Sequence, residues 1–269
     1  MILKFIFDRL VALIGLLFLW PVLLVVAIMV KVKMPGGPAI FTQKRVGKGG
    51  KLFTCHKFRS MTVKHSGSTV SVAGDSRITP FGATLRHYKL DELPGLWDVL
   101  IGNMSFVGPR PDVPGYADKL EGDDRDVLKL RPGITGPATL KYRLEDEQIA
   151  AFVASIRTKT IKTPEASESV SASECSNAFG TSATETSSVS NADLKDPSGD
   201  KQEINLCLPE GYEKMSDQEL AVWYNDNVIY PDKVRLNCYY YRHYSFLKDI
   251  EMIFATVLGR KIDFAGERF

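Results

Sequence analysis

Apolar and polar positions are distributed very unevenly along this chain. From Leu10 to Val30 no charged residue occurs over about twenty-one positions, enough for a helix to cross a hydrocarbon core. The pattern then shortens. Residues 34–61 read as turn, short strand, Gly-rich turn and short strand, with Phe41, Phe53 and Phe58 as core candidates. A helix is expected from near Pro80 to Lys89, carrying Leu85 and Tyr88 inward. A second is expected from Asp91 to about Leu100, with Leu93, Leu96, Trp97 and Leu100 on one face and Gly102 as its stop. Two Pro/Gly loops, 107–111 and 131–136, flank a short charged helical stretch from Asp118 to Leu130. Helices are also expected over Met215–Tyr224 and Tyr239–Leu258. The latter is amphipathic and basic-aromatic, and its periodicity fits a membrane-surface helix and a core-packed one equally.

Two details argue against a simple membrane span for the first segment. Pro21 lies mid-run, and basic residues flank both ends, Lys4 and Arg9 before it and Lys31 and Lys33 after it. The positive-inside rule therefore favours neither orientation. A helix that enters the bilayer, breaks at Pro21 and returns to the same face keeps both basic clusters in the cytoplasm. A cleaved signal peptide fits less well, because Lys31-Val32-Lys33 stands where a small-residue cleavage site belongs.

Charge is nearly balanced, with Lys+Arg 34 against Asp+Glu 32, so attraction of the whole molecule to nucleic acid is not indicated and any anion site must be local. Cys55, Cys175, Cys207 and Cys238 form no CxxC pair, and His56, His65, His87 and His243 lack metal-ligand spacing; they read as ordinary surface or core residues in a reducing compartment. Residues 65–75 read as a loop. From Pro164 to Gln202 the composition turns to Ser, Thr, Ala, Asn and acidic residues with few large apolar side chains, which predicts a mobile cytoplasmic insertion without its own core.

The candidate chemistry centres on Asp91-Glu92. One reading makes Asp91 a helix cap, with Glu92 complementing the dipole and Pro94 in the first turn. The other notes the fixed positive charge nearby in the motifs: Lys57 and Arg59 in KFRSM, Arg86, and Arg110 in a rigid Pro-Arg-Pro loop. Such cations suit diphosphate oxygens, and a pair of carboxylates can supply a nucleophile and a Mg²⁺ ligand for phosphoryl transfer.

The ordered series GPxxFxQxRxG (Gly37–Gly47), KFRSM (Lys57–Met61), LDELP (Leu90–Pro94), GPRP (Gly108–Pro111) and RPGITG (Arg131–Gly136) resembles the bacterial sugar transferases, the monotopic phosphoglycosyl transferases. The resemblance implies transfer of a sugar 1-phosphate from a UDP-sugar to undecaprenyl phosphate, with UMP released through a covalent aspartyl phosphosugar on Asp91. It implies Mg²⁺ at Glu92 and phosphate binding by Lys57, Arg86 and Arg110, with Arg59 and Arg45 as weaker candidates. It also implies a re-entrant helix kinked at Pro21 in the bacterial inner membrane, with the catalytic domain on the cytoplasmic face. A homodimer and contacts with downstream glycosyltransferases are left open.

The expected fold is α+β and mostly helical: a re-entrant membrane hairpin (1–34), a catalytic core with short strands (35–163), the insertion (164–207), and a C-terminal part carrying an interfacial helix (208–269). After RPGITG this chain continues Pro137-Ala-Thr-Leu-Lys-Tyr-Arg143, where commoner members carry a Trp-Ala-Gln type sequence, so the resemblance names no particular sugar. Residues 230–233 and 244–249 still resemble the family's tail, which makes Asp249 a further site candidate. The rival from a different class is a catalytically idle scaffold recruiting partners through the insertion.

Overall fold

The computed structural model describes residues 2–63, 77–162, 186–188, 192–195, 201–204, 207–209 and 211–269. The expected loop at 65–75 and most of the Ser/Thr-rich stretch lie outside these residues. The chain forms two compact units, one from residues up to 63, 77–143 and 232–269, the other from 144–231. Residues 144–162 of the core expected over 35–163 lie in the second of these units.

Helix α1 runs from Ile2 to Lys33 with Pro21 inside it. The break expected at Pro21 does not end the helix; proline removes one backbone donor, and the turns on either side continue. Burial on α1 is inverted relative to a soluble helix. Asp8, Ala12, Val26 and Val30 are buried, while Leu17, Phe18, Trp20, Leu24 and Val25 are exposed. Both ends nevertheless rest on the first unit. Near the N-terminus, Lys4 Nζ donates to Asp249 (2.7 Å), Ser105 Oγ donates to Asp8 (2.6 Å) and Arg9 Nε donates to the Leu100 carbonyl (3.1 Å). Near the C-terminus, Val26, Val30 and Met34 pack with Phe58 and Leu85.

Strands β1 (Ile40–Val46) and β2 (Leu52–Phe58) form the expected antiparallel hairpin. Phe53 and Phe58 are buried, but Phe41, opposite Lys57 in the register, is exposed. Helix α2 (Pro80–His87) is capped by Thr79, which accepts from the Gly82 amide, and Leu85 is buried as expected. Tyr88, just past its end, points outward instead. A single 3₁₀ turn (Leu90–Glu92) precedes α3 (Gly95–Leu100), where one continuous helix was expected. On α3 the expected polarity is reversed at two positions. Trp97 is 50% exposed and Asp98 is 0% exposed.

Strands β3 (Ser105–Val107) and β4 (Gly133–Thr135) pair in parallel. Their flanking loops meet backbone to backbone: the Gly108 amide donates to Thr135 (2.9 Å) and the Gly133 amide to Pro109 (2.7 Å). A Cβ on Gly133 would lie 2.2 Å from the Gly108 nitrogen, so only glycine permits this approach. The charged stretch expected over 118–130 is two 3₁₀ segments, Ala117–Lys119 and Gly122–Lys129. A short helix α4 (Pro137–Lys141) follows β4.

The second unit contains α5 (Glu145–Lys162) and α6 (Asp217–Tyr224), with Phe152 stacked on Tyr224 at 4.1 Å. Within the expected insertion, β5 (Thr186–Ser188) pairs with β8 (Cys207–Pro209), and β6 (Ala192–Lys195) with β7 (Lys201–Ile204), all antiparallel. The single C-terminal helix expected over Tyr239–Leu258 is two, α7 (Tyr230–Arg242) and α8 (Phe246–Leu258). The interruption lets Tyr240 enter the core, where it packs with Leu236 and Met252. On α8, Met252 and Ala255 face that core while Leu247, Phe254 and Val257 are exposed. Strands β9 (Asp263–Phe264) and β10 (Glu267–Arg268) close the chain.

Candidate active site

Four motifs distant in sequence converge at the 3₁₀ turn. Lys89, in a left-handed conformation (φ 54°), redirects the chain from the end of α2 into Leu90–Glu92. Such a backbone is uncommon for a residue with a Cβ. The turn buries Asp91, whose Oδ1 makes no hydrogen bond. Asp91 therefore does not cap α3, whose N-cap is Pro94.

Burial pushes the Asp91 carboxyl above its ordinary value, and the charge of Glu92 pushes the same way; Lys57, Arg86 and Lys89 pull against them. Glu92 has the opposite fate. Burial alone would raise it, but Arg110 and Lys57 hold it well below the carboxylate range. Its Oε1 accepts from Lys57 Nζ (2.9 Å) and from an Arg110 guanidinium nitrogen (3.2 Å). Two adjacent carboxyls thus differ sharply: one desolvated and free at one oxygen, the other locked between two cations.

The remaining candidates divide. Arg86 Nε donates to Ser60 Oγ (3.0 Å), and Arg86 acts on Asp91 through its charge. Arg45 lines the cleft and braces the loop that carries Arg110, donating to the Pro111 carbonyl (3.1 Å) and to Gln43 (2.6 Å). Burial and the neighbouring Arg110 depress its pKa. Arg59 is turned away: it is buried, with one guanidinium nitrogen on the Met34 carbonyl, fastening the end of α1 to the end of β2. Gly37 leaves room for it, since a Cβ there would fall 1.9 Å from Arg59. Asp249 sits in the buried network with Lys4 and accepts from Tyr240 OH (2.5 Å), whose pKa burial and this carboxylate drive upward.

A cleft opens beside Glu92, lined by Arg45, His56, Lys57, Gly95, Arg110 and Ile134 among others. Its histidine was not expected to matter. Asp98 accepts both the His56 backbone N–H (2.9 Å) and a hydrogen bond at His56 Nδ1 (2.8 Å). Residues 56 and 98 share no motif and lie on separate elements, so only the fold reveals the pair. Among the described residues no group of three or more His, Cys, Asp or Glu side chains is placed to hold a metal. An octahedral Mg²⁺ ion needs fewer: one or two carboxylates suffice when substrate phosphates and water complete the shell. The Asp91–Glu92 pair, with a bare buried oxygen on Asp91, fits that donor set.

Several known proteins are similar to this chain. The chain is 44% identical over 135 residues to the UDP-glucose:undecaprenyl-phosphate glucose-1-phosphate transferase of Xanthomonas campestris pv. campestris, a match covering 48% of this chain and 28% of that protein. It is 41% identical over 150 residues to the exopolysaccharide production protein PSS of Rhizobium leguminosarum bv. phaseoli (52% and 74%). It is 40% identical over 123 residues to the undecaprenyl-phosphate galactose phosphotransferase of Salmonella typhimurium (39% and 26%). The chain therefore spans under a third of the Xanthomonas and Salmonella proteins and most of the Rhizobium one. Residues 1–160 match the family described as bacterial sugar transferase, and they contain the Asp91–Glu92 turn with the cations around it; the chain belongs to that family.

Proposed function

We propose that this protein transfers a sugar 1-phosphate from a UDP-sugar to undecaprenyl phosphate, releasing UMP, through a phosphosugar ester on Asp91. The observation that carries this reading is a buried carboxylate with an unbonded oxygen, set among Lys57, Arg86, Lys89 and, through Glu92, Arg110. Desolvation strips the carboxylate of water that would blunt its attack, and the cations supply the charge a diphosphate needs. The Asp91 carboxylate forms a bond to the β-phosphorus while the bond to UMP breaks, and UMP leaves with the electron pair. An oxygen of the acceptor phosphate then attacks the same phosphorus, and Asp91 departs as a carboxylate. Lys57 and Arg110, now paired with Glu92, would turn to the donor's phosphates. Glu92 and Asp91 would hold Mg²⁺, which when bound neutralises diphosphate charge.

The same reading puts the protein in the bacterial inner membrane as a monotopic enzyme with its catalytic unit on the cytoplasmic face. Lys4 and Arg9 near the start of α1 and Val26 and Val30 near its end are all held on one unit, which supports a re-entrant helix rather than one that crosses. Leu247, Phe254 and Val257 on α8, with Trp97 and Ile101 at α3, offer further apolar surface to lipid. A lipid-linked phosphate then meets the site at the height where it already lies. Incubation with Mg²⁺, a panel of UDP-sugars and undecaprenyl phosphate should give UMP, and should give none with Asp91→Asn.

A further inference from the structure

Asp98 is fully buried between Leu96 and Val99, residues of the apolar core, and burial pushes its carboxyl upward against the pull of His56. A carboxylate in such a place is costly unless it is bonded. Its Oδ2 accepts the His56 backbone N–H and its Oδ1 meets His56 Nδ1, so each carboxylate oxygen bonds the same residue. A carboxylate can only accept, so in the neutral ring this contact favours the tautomer with its proton on Nδ1 and its lone pair on Nε2. The residue is 29% exposed along its side chain and lines the cleft with Lys57, Glu92 and Arg110. Gly95, one helical turn before Asp98, lines the same cleft, and a Cβ there would meet no atom within 4 Å. The fold requires no glycine at that position, so the free space faces whatever occupies the cleft.

We propose that His56, held in one tautomer by Asp98, is the proton acceptor for the incoming phosphate monoester in the second transfer; this rests on the two-step reading above. An acceptor arriving as a monoanion, RO–PO₃H⁻, gives its proton to His56 Nε2. The oxygen so freed forms the new bond to the sugar-bearing phosphorus, the bond from that phosphorus to Asp91 breaks, and the carboxylate leaves with the electron pair. His56 returns the proton to solvent. The charged and titratable groups around the ring are Asp98 from α3, Cys55 and Lys57 from its own strand, Arg45 from β1, Glu92 from the 3₁₀ turn and Arg110 from the loop after β3. Asp98 supports the imidazolium once it forms. Lys57, Arg45 and Arg110 draw in the acceptor's phosphate.

The test separates the half-reactions. Enzyme and UDP-sugar are mixed without acceptor to measure the UMP burst, and a short-chain prenyl phosphate is then pulsed in across pH 5–8. His56→Gln should keep the burst within about threefold, slow the acceptor step by about a hundredfold, and remove its acid limb. Asp98→Asn, which cannot hold the Nδ1–H tautomer, should slow the same step and spare the burst. An unchanged acceptor step with an unchanged acid limb in His56→Gln overturns the proposal while leaving the Asp91 reading intact. Equal slowing of burst and acceptor step overturns it as well, since that marks a structural role. Absence of any burst in the wild type refutes the Asp91 reading, and the role of His56 falls with it.

Discussion

Asp91 and Glu92 are neighbours along the chain with opposite electrostatic fates, and the difference makes testable predictions. The Asp91 carboxyl is raised, so the folded state holds its proton more tightly than the unfolded chain does. Its contribution to stability is therefore full below the ordinary carboxyl pKa and is lost as pH rises through the folded value. At pH 7 Asp91→Asn should melt at the same temperature or higher, and below about pH 4 the gain should vanish. Turnover in the same variant should fall by about a thousandfold or more. A clear drop in melting temperature at pH 7 would show that the carboxylate is structural. Lys57→Met removes one of the two cations on Glu92 and should raise the donor KM about tenfold to a hundredfold, read from initial rates. These residues were legible in the sequence because each sits in a short motif of charged and turn-forming residues. His56 and Asp98 were not, because their meaning lies in a contact between two elements, and the helical period placed Trp97 inward where the structure places Asp98.

Among the elements, the paired Pro/Gly loops have the least freedom. Gly133→Ala would set a methyl group against the Gly108 backbone and should cost at least about 1–3 kcal/mol, with Arg110 displaced and activity lost in parallel. Urea denaturation beside the UMP assay checks this; full stability with full activity would refute the close approach. The hairpin of β1 and β2 and the start of α2 were legible from turn residues and a proline at a helix start. The division of the C-terminal helix was not, because its apolar spacing is nearly continuous and the break depends on Tyr240 reaching the core. Helix α1 was legible in its length and apolar character, but its attachment at both ends depends on partners such as Ser105 and Asp249, far away in sequence.

For the whole molecule, the outward apolar residues of α1 and α8 are the surface through which the proposed lipid association would act. Replacing Leu247, Phe254 and Val257 together by Ser removes three exposed anchors, each worth about 1.5–3 kcal/mol when fully buried. Liposome flotation should show at least a tenfold loss of binding in the catalytic unit's contribution, with the UMP burst preserved; unchanged flotation would assign membrane attachment to α1 alone. The covalent step on Asp91 carries the proposed function. Its most direct measurement is intact-protein mass spectrometry after mixing with a UDP-sugar and Mg²⁺ in the absence of lipid acceptor. A mass increase of one sugar phosphate on the wild type, absent from Asp91→Asn and discharged by undecaprenyl phosphate, is the result predicted. Turnover of the lipid acceptor by Asp91→Asn at the wild-type rate would contradict it.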